Sequence, residues 1–81
     1  SSDRYEGLCI KLLDLKKFPE TEKWCQRLAQ QHGNTLAAYT CRLKLYFTMG
    51  EREKFFQVLD ELKHSDVIID NETLELIRIF S

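Results

Sequence analysis

Pro19 is the only proline in this chain of 81 residues, and its three glycines, Gly7, Gly33 and Gly50, stand alone. No Gly-rich run exists to wrap backbone N–H groups around a phosphate, so a nucleotide-binding loop is not read here. No apolar run approaches the ~20 residues needed to cross a bilayer, so no membrane association is expected. The first residues lack a basic stretch followed by an apolar one, and no secretory leader is read there. Basic and acidic side chains number 12 and 13, for a net charge of −1, and the two signs are interspersed. Phosphate contacts need several Lys or Arg on one face. Direct nucleic-acid binding is therefore not expected.

Cysteine is scarce too. The three residues Cys9, Cys25 and Cys41 are an odd number, whereas small secreted scaffolds carry an even and denser set. Reduced thiols in a cytoplasmic chain fit better. Zinc sites bring their ligands in close pairs. Here successive cysteines lie 16 residues apart, and His32 and His64 are 32 apart, so no metal site is expected. Cys9 and Cys25 fall on predicted inward faces, where cysteine packs as a small hydrophobe. Asp60, Glu61, Glu51 and Glu53 read as solvated or helix-start charge. His32 and His64 sit at helix ends, where they favour the dipole. The expectation is no catalytic residues, no cofactor and no metal: the chain is not an enzyme.

What remains is helical periodicity, and it predicts an all-α fold in a single domain over residues 1–81. Tyr5, Leu8, Cys9, Leu12 and Leu13 form the apolar stripe of a helix from Asp3 to Leu15, capped by Ser2 or Asp3. A second helix begins at Phe18-Pro19, where proline suits the first turn, and carries Trp24, Cys25 and Leu28. It ends at His32-Gly33, with Gly33 expected in the left-handed closing position. Asn34 or Thr35 caps a third helix bearing Leu36, Tyr39, Leu43, Tyr46 and Phe47, which ends at Met49-Gly50. A fourth runs from Arg52 to Lys63 with Phe55, Phe56, Val58, Leu59 and Leu62. Val67-Ile68-Ile69 reads as an extended apolar clip. Asp70 or Asn71 then caps a fifth helix with Leu74, Ile77, Ile79 and Phe80. The chain starts with Ser1-Ser2 and stops inside an apolar pattern, so it reads as a fragment of a longer protein.

The pattern repeats. A shift of 34 residues pairs Tyr5 with Tyr39, Cys9 with Leu43, Leu12 with Tyr46 and Leu13 with Phe47. It also pairs Trp24 with Val58, Cys25 with Leu59 and Leu28 with Leu62, and sets the turns at Lys16 and Gly50 in register. A 34-residue helix–turn–helix period resembles the tetratricopeptide repeat. The match covers two helical hairpins plus a following helix, with Tyr5, Tyr39, Tyr46 and Gly50 at family positions. Departures are Leu43 and Phe55 where the family has small residues, Lys16 for the first turn glycine, and Gly33 for a proline. A large ring at position 55 implies that the helices around it need extra room.

A narrower resemblance rests on Leu43-Lys44-Leu45-Tyr46, Met49-Gly50-Glu51-Arg52, Phe55, Leu59, Leu62 and the ending from Val67 to Leu74. These residues look like the bacterial transcriptional activator domain, a tetratricopeptide-like module of bacterial regulators, usually beside a winged-helix domain. The Glu-Leu-Gly and proline common in the family's last connection are absent. The resemblance implies a non-enzymatic interaction or regulatory module; the alternative is an adaptor repeat from a longer array without a transcriptional role. In such a stack the first helix of each pair lines the inner groove, which here offers Glu6, Ile10, Leu13, Asp14, Ala37, Thr40, Lys44 and Phe47. Lys44 alone is too little positive charge to clamp acidic peptide ends, and a mixed groove for an amphipathic helix or extended peptide fits better. Adjacent Phe55 and Phe56 cannot share a face, so one of them points to another layer, a partner or solvent. The candidate protein-binding residues are Ile10, Leu13, Lys44, Phe47 and Phe56. The expected partner is a protein or peptide, another domain of the same chain, or a second copy.

Overall fold

The structure is a computed structural model that describes the backbone of residues 2–81 and the side chains of residues 7–81. Among the described residues every regular element is helical. The helices are α1 (Ser2–Asp14), α2 (Phe18–His32), α3 (Leu36–Met49), α4 (Arg52–Lys63) and α5 (Asn71–Phe80). The expected cap at Ser2 or Asp3, and the side chains of Tyr5 and Glu6, lie outside the described residues. Local chemistry sets the other boundaries. The Thr35 hydroxyl accepts from the Ala38 N–H at the start of α3, and the Asp70 carboxylate accepts from the Thr73 N–H at 3.1 Å at the start of α5. Each satisfies one of the backbone donors that a helix leaves open at its N-terminus.

The helices end in a way that shows the repeat more sharply than composition does. At the close of α1, the Lys16 N–H donates to the Leu13 carbonyl at 2.9 Å and the Lys17 N–H to the Leu12 carbonyl at 3.0 Å. At the close of α3, the Gly50 N–H donates to Phe47 at 3.2 Å and the Glu51 N–H to Tyr46 at 2.9 Å. Both are the paired bonds of a Schellman motif, whose penultimate residue must be left-handed. Lys16 (φ 57°) and Gly50 (φ 73°) are the residues that turn, and they stand 34 positions apart. Lysine thus performs in the first copy what glycine performs in the second.

Gly33 corrects one expectation. It is right-handed, at φ −60° and ψ −24°, and closes α2 without a left-handed turn. Its glycine is required by space instead: a Cβ there would sit 2.5 Å from the Ala29 carbonyl oxygen.

Two cores share α3. Between α1, α2 and α3 lie Cys9, Cys25, Leu28, Ala38, Cys41 and Leu45, all buried, with Leu13, Phe18 and Trp24 against them. Between α3, α4 and α5 lie Leu43, Phe55, Val58, Leu59 and Leu62, joined by Phe47, Ile77 and Phe80. Tyr46 touches both cores. Because α3 is covered on two sides, its apolar residues spread around the helix rather than along one stripe. Burial repeats at the same offset: Cys9 with Leu43, Thr21 with Phe55, Cys25 with Leu59 and Leu28 with Leu62 are all fully enclosed.

The room that Phe55 needs is filled by α5. The Phe80 ring meets Phe55 edge-on at 4.8 Å, and Phe56 and Phe47 surround it at 5.2 and 6.4 Å. Arg52 holds this end down by donating to the Phe80 carbonyl, with its guanidinium against the Phe80 and Phe56 rings at 5.2 and 5.6 Å. The connection before α5 is extended. Val67 and Ile69 pack on the second core while Ile68, between them, is 87% exposed, the alternation of a clip one residue wide. On α5 the inward stripe is Thr73, Leu76, Ile77 and Phe80. Leu74 and Ile79, both expected on the apolar side, are 50% and 57% exposed.

Candidate functional site

α1, α3 and α5, the first helix of each successive unit, together line an open groove of about 420 Å³. Ile10, Leu13 and Asp14 come from α1, Lys44, Phe47 and Thr48 from α3, and Glu72 and Leu76 from α5. Four of the five sequence-predicted binding residues are therefore brought together: Ile10, Leu13, Lys44 and Phe47. The repeat explains why. Ile10 and Lys44, Leu13 and Phe47, and Asp14 and Thr48 are pairs at the 34-residue offset, so successive units present the same helical face. Phe56 is not among them. It lies half-buried beside Phe55, stacked on Phe80 at 6.2 Å and under Arg52. Ala37 belongs to the first core, and Thr40 is buried with its hydroxyl donating to the Ala37 carbonyl.

Charge is placed at the groove's edge. The Lys44 ammonium pairs with the Glu72 carboxylate at 3.0 Å, tying α3 to α5. The pair is solvent-reached, so it contributes about 0–1 kcal/mol and can exchange partners cheaply. Apolar surface supplies the rest: Ile10 is 41% exposed, and Leu13, Phe47 and Leu76 are part-exposed beside it. Sequence reasoning missed Glu72 and Leu76. The third shift of the period, which sets Leu43 against Ile77, already places α5 beside α3 and was the available signal. A second concavity of about 340 Å³, lined by Phe18, Pro19, Glu22, Lys23, Gln26 and Met49, opens beside the start of α2.

The other chemical feature is inside. Cys9, Cys25 and Cys41 come from three different helices, all three are buried, and their sulfurs lie within 4.8 Å of one another. The Cys25 thiol donates to the Cys9 sulfur at 3.8 Å. Burial of Cys9 and Cys25 follows from their inward faces; the convergence with Cys41 was not legible from close-pair spacing. Each spacing of 16 residues carries the chain through one helix and its connection, which returns the next sulfur to the same level. The thiols titrate as a set. Donation from Cys25 and then Cys41 holds the Cys9 sulfur down, to about 4. Cys25 is drawn down by Cys41 but pushed up further by Cys9 and by burial, to about 12. Hydrogen bonding to Cys25 and Cys9, then burial, push Cys41 above the usual thiol range. The cluster shares one negative charge and resists a second, as like charges out of water must.

Compared with protein-family models, with curated proteins and with solved structures, the chain finds no match.

Proposed function

We propose that the chain is a non-enzymatic helical-repeat module that binds an amphipathic helical segment of a partner protein in the groove between α1, α3 and α5. The observation that carries this reading is the groove itself: apolar Ile10, Leu13, Phe47 and Leu76 flanked by Asp14, Lys44 and Glu72. A helix laid there would bury apolar side chains spaced three and four apart. Its charged flanks would meet a basic group at Lys44 and acidic groups at Asp14 and Glu72. The groove contains no cysteine or histidine and its cation is already paired, which favours recognition over reaction chemistry. The likeness of Leu43–Tyr46, Met49–Arg52 and Val67–Leu74 to the bacterial transcriptional activator domain extends the proposal to a regulator's interaction module. That extension rests on those residues alone.

A display selection of helical peptides on the immobilised chain tests the reading. Enriched peptides should carry an apolar stripe and lose binding at least about tenfold to Ile10→Glu, a cost of about 1.4 kcal/mol or more. Lys44→Glu should shift selection away from peptides with an acidic flank. Peptides that bind Ile10→Glu and Lys44→Glu as tightly as the parent chain, with helicity retained, would reject the groove.

A further inference from the structure

We propose that Cys9, Cys25 and Cys41 form a three-thiolate site for a soft, thiophilic ion that takes three ligands, cuprous copper or trivalent arsenic. The geometry is close to what such a centre needs. A metal–sulfur bond of about 2.3 Å puts sulfurs about 3.8–4.0 Å apart when they are arranged around one ion. The Cys9–Cys25 separation is already 3.8 Å, and no pair exceeds 4.8 Å. Side-chain rotation of one cysteine closes the remainder.

Packing alone does not call for sulfur here. At the 34-residue offset, Cys9 and Cys25 correspond to Leu43 and Leu59, and those leucines fill the second core with no polarity. Where the second unit uses ordinary hydrophobes, the first unit converges three thiols from three helices. Among the described residues no histidine or carboxylate joins the cluster. That argues against zinc, which takes four ligands in structural sites, and for ions content with sulfur alone and fewer of them. Burial sharpens the choice, because uncompensated charge in a dry core is costly. Arsenous acid reacts with three thiols to give a neutral tris-thiolate and three waters, leaving no net charge. Cuprous ion displaces one proton for each thiol that binds as thiolate, and the complex retains negative charge when two or three do so. α1 carries only one of the three sulfurs, so its local opening is the route of entry.

The experiment loads the full, reduced chain anaerobically with arsenite or with cuprous ion held in a weak complex, and reads native mass spectra and sulfur X-ray absorption. The expected result is one ion per chain, three sulfur neighbours, and a melting temperature that rises with ion concentration. Cys41→Ala should weaken binding by more than about 100-fold, since even indirect supports of a metal site are worth 10–100-fold. Should that variant unfold, the three-sulfur coordination of the parent chain decides the matter. Tighter uptake of arsenite than of cuprous ion in competition with a chelator follows from the charge argument. Failure of the reduced parent chain to take up either ion, fewer than three sulfur neighbours, or equal affinity in a folded Cys41→Ala would overturn the site.

Discussion

Exchanging the two residues that close α1 and α3 tests whether they occupy equivalent places in a repeated unit. Lys16 holds a left-handed backbone conformation that costs a residue with a Cβ roughly 1–2 kcal/mol. Replacing it by glycine removes that cost but returns about 0.4–1 kcal/mol through the greater freedom of the unfolded chain. Lys16 also places charge at a helix C-terminus, so the comparison is best made between Lys16→Gly and Lys16→Ala, which differ only in the Cβ. Glycine should be the more stable by about 0.5–1 kcal/mol. In a chain of this size that is a melting difference of about 2–8 °C. Gly50→Ala should lose a similar amount, because a Cβ at Gly50 meets nothing within 4 Å and the penalty is purely conformational. Urea unfolding followed by helical circular dichroism measures both, as a shift in midpoint with unchanged slope. Equal stability of glycine and alanine at position 16, with a clear loss at position 50, would refute the equivalence of the two turns.

Other outcomes follow from the packing and the charges. Phe55→Ala empties the centre of the second core and should cost about 3–5 kcal/mol, a large part of the roughly 4–12 kcal/mol total expected for 81 residues; thermal unfolding measures it. Asp70→Ala removes the cap of α5 and should cost about 1 kcal/mol, read as loss of amide protection in residues 71–80. Lys44→Ala should change stability by less than about 1 kcal/mol, since its pair with Glu72 is open to water, and urea midpoints check this. Unfolded thiols ionise near 9 while folded Cys25 keeps its proton to about 12, so the folded chain holds more protons in that window. Stability should therefore fall as pH rises above 9, by up to about 1.4 kcal/mol per pH unit for each such thiol. Cys25→Val should flatten this limb relative to the parent chain, and an unchanged limb would contradict the assignment.

The helices were legible because their apolar residues recur at helical spacing and their caps are written in Thr35, Pro19, Gly50 and Asp70. The inner groove was legible at Ile10, Leu13, Lys44 and Phe47 because a 34-residue period carries one helical face into the next unit. Three features were not. Lys16 turns left-handed because the Schellman bonds to Leu12 and Leu13 require it, and no propensity of lysine announces that. Gly33 looked like a left-handed closer, yet its role is to clear the Ala29 carbonyl. Phe56 looked free because two neighbouring rings cannot share a face, but α5 brings Phe80 over both. The cysteines escaped for a related reason. A ligand set drawn from three helices has no local spacing, and only the packing of α1 and α2 on α3 assembles it.

Amide chemical-shift mapping with a display-selected helical peptide tests the docking groove most directly. The account predicts that saturating peptide perturbs Ile10, Leu13, Lys44, Phe47, Glu72 and Leu76, on three helices at once. Perturbations gathered instead around Phe18, Gln26 and Met49, or around Phe56, would contradict it.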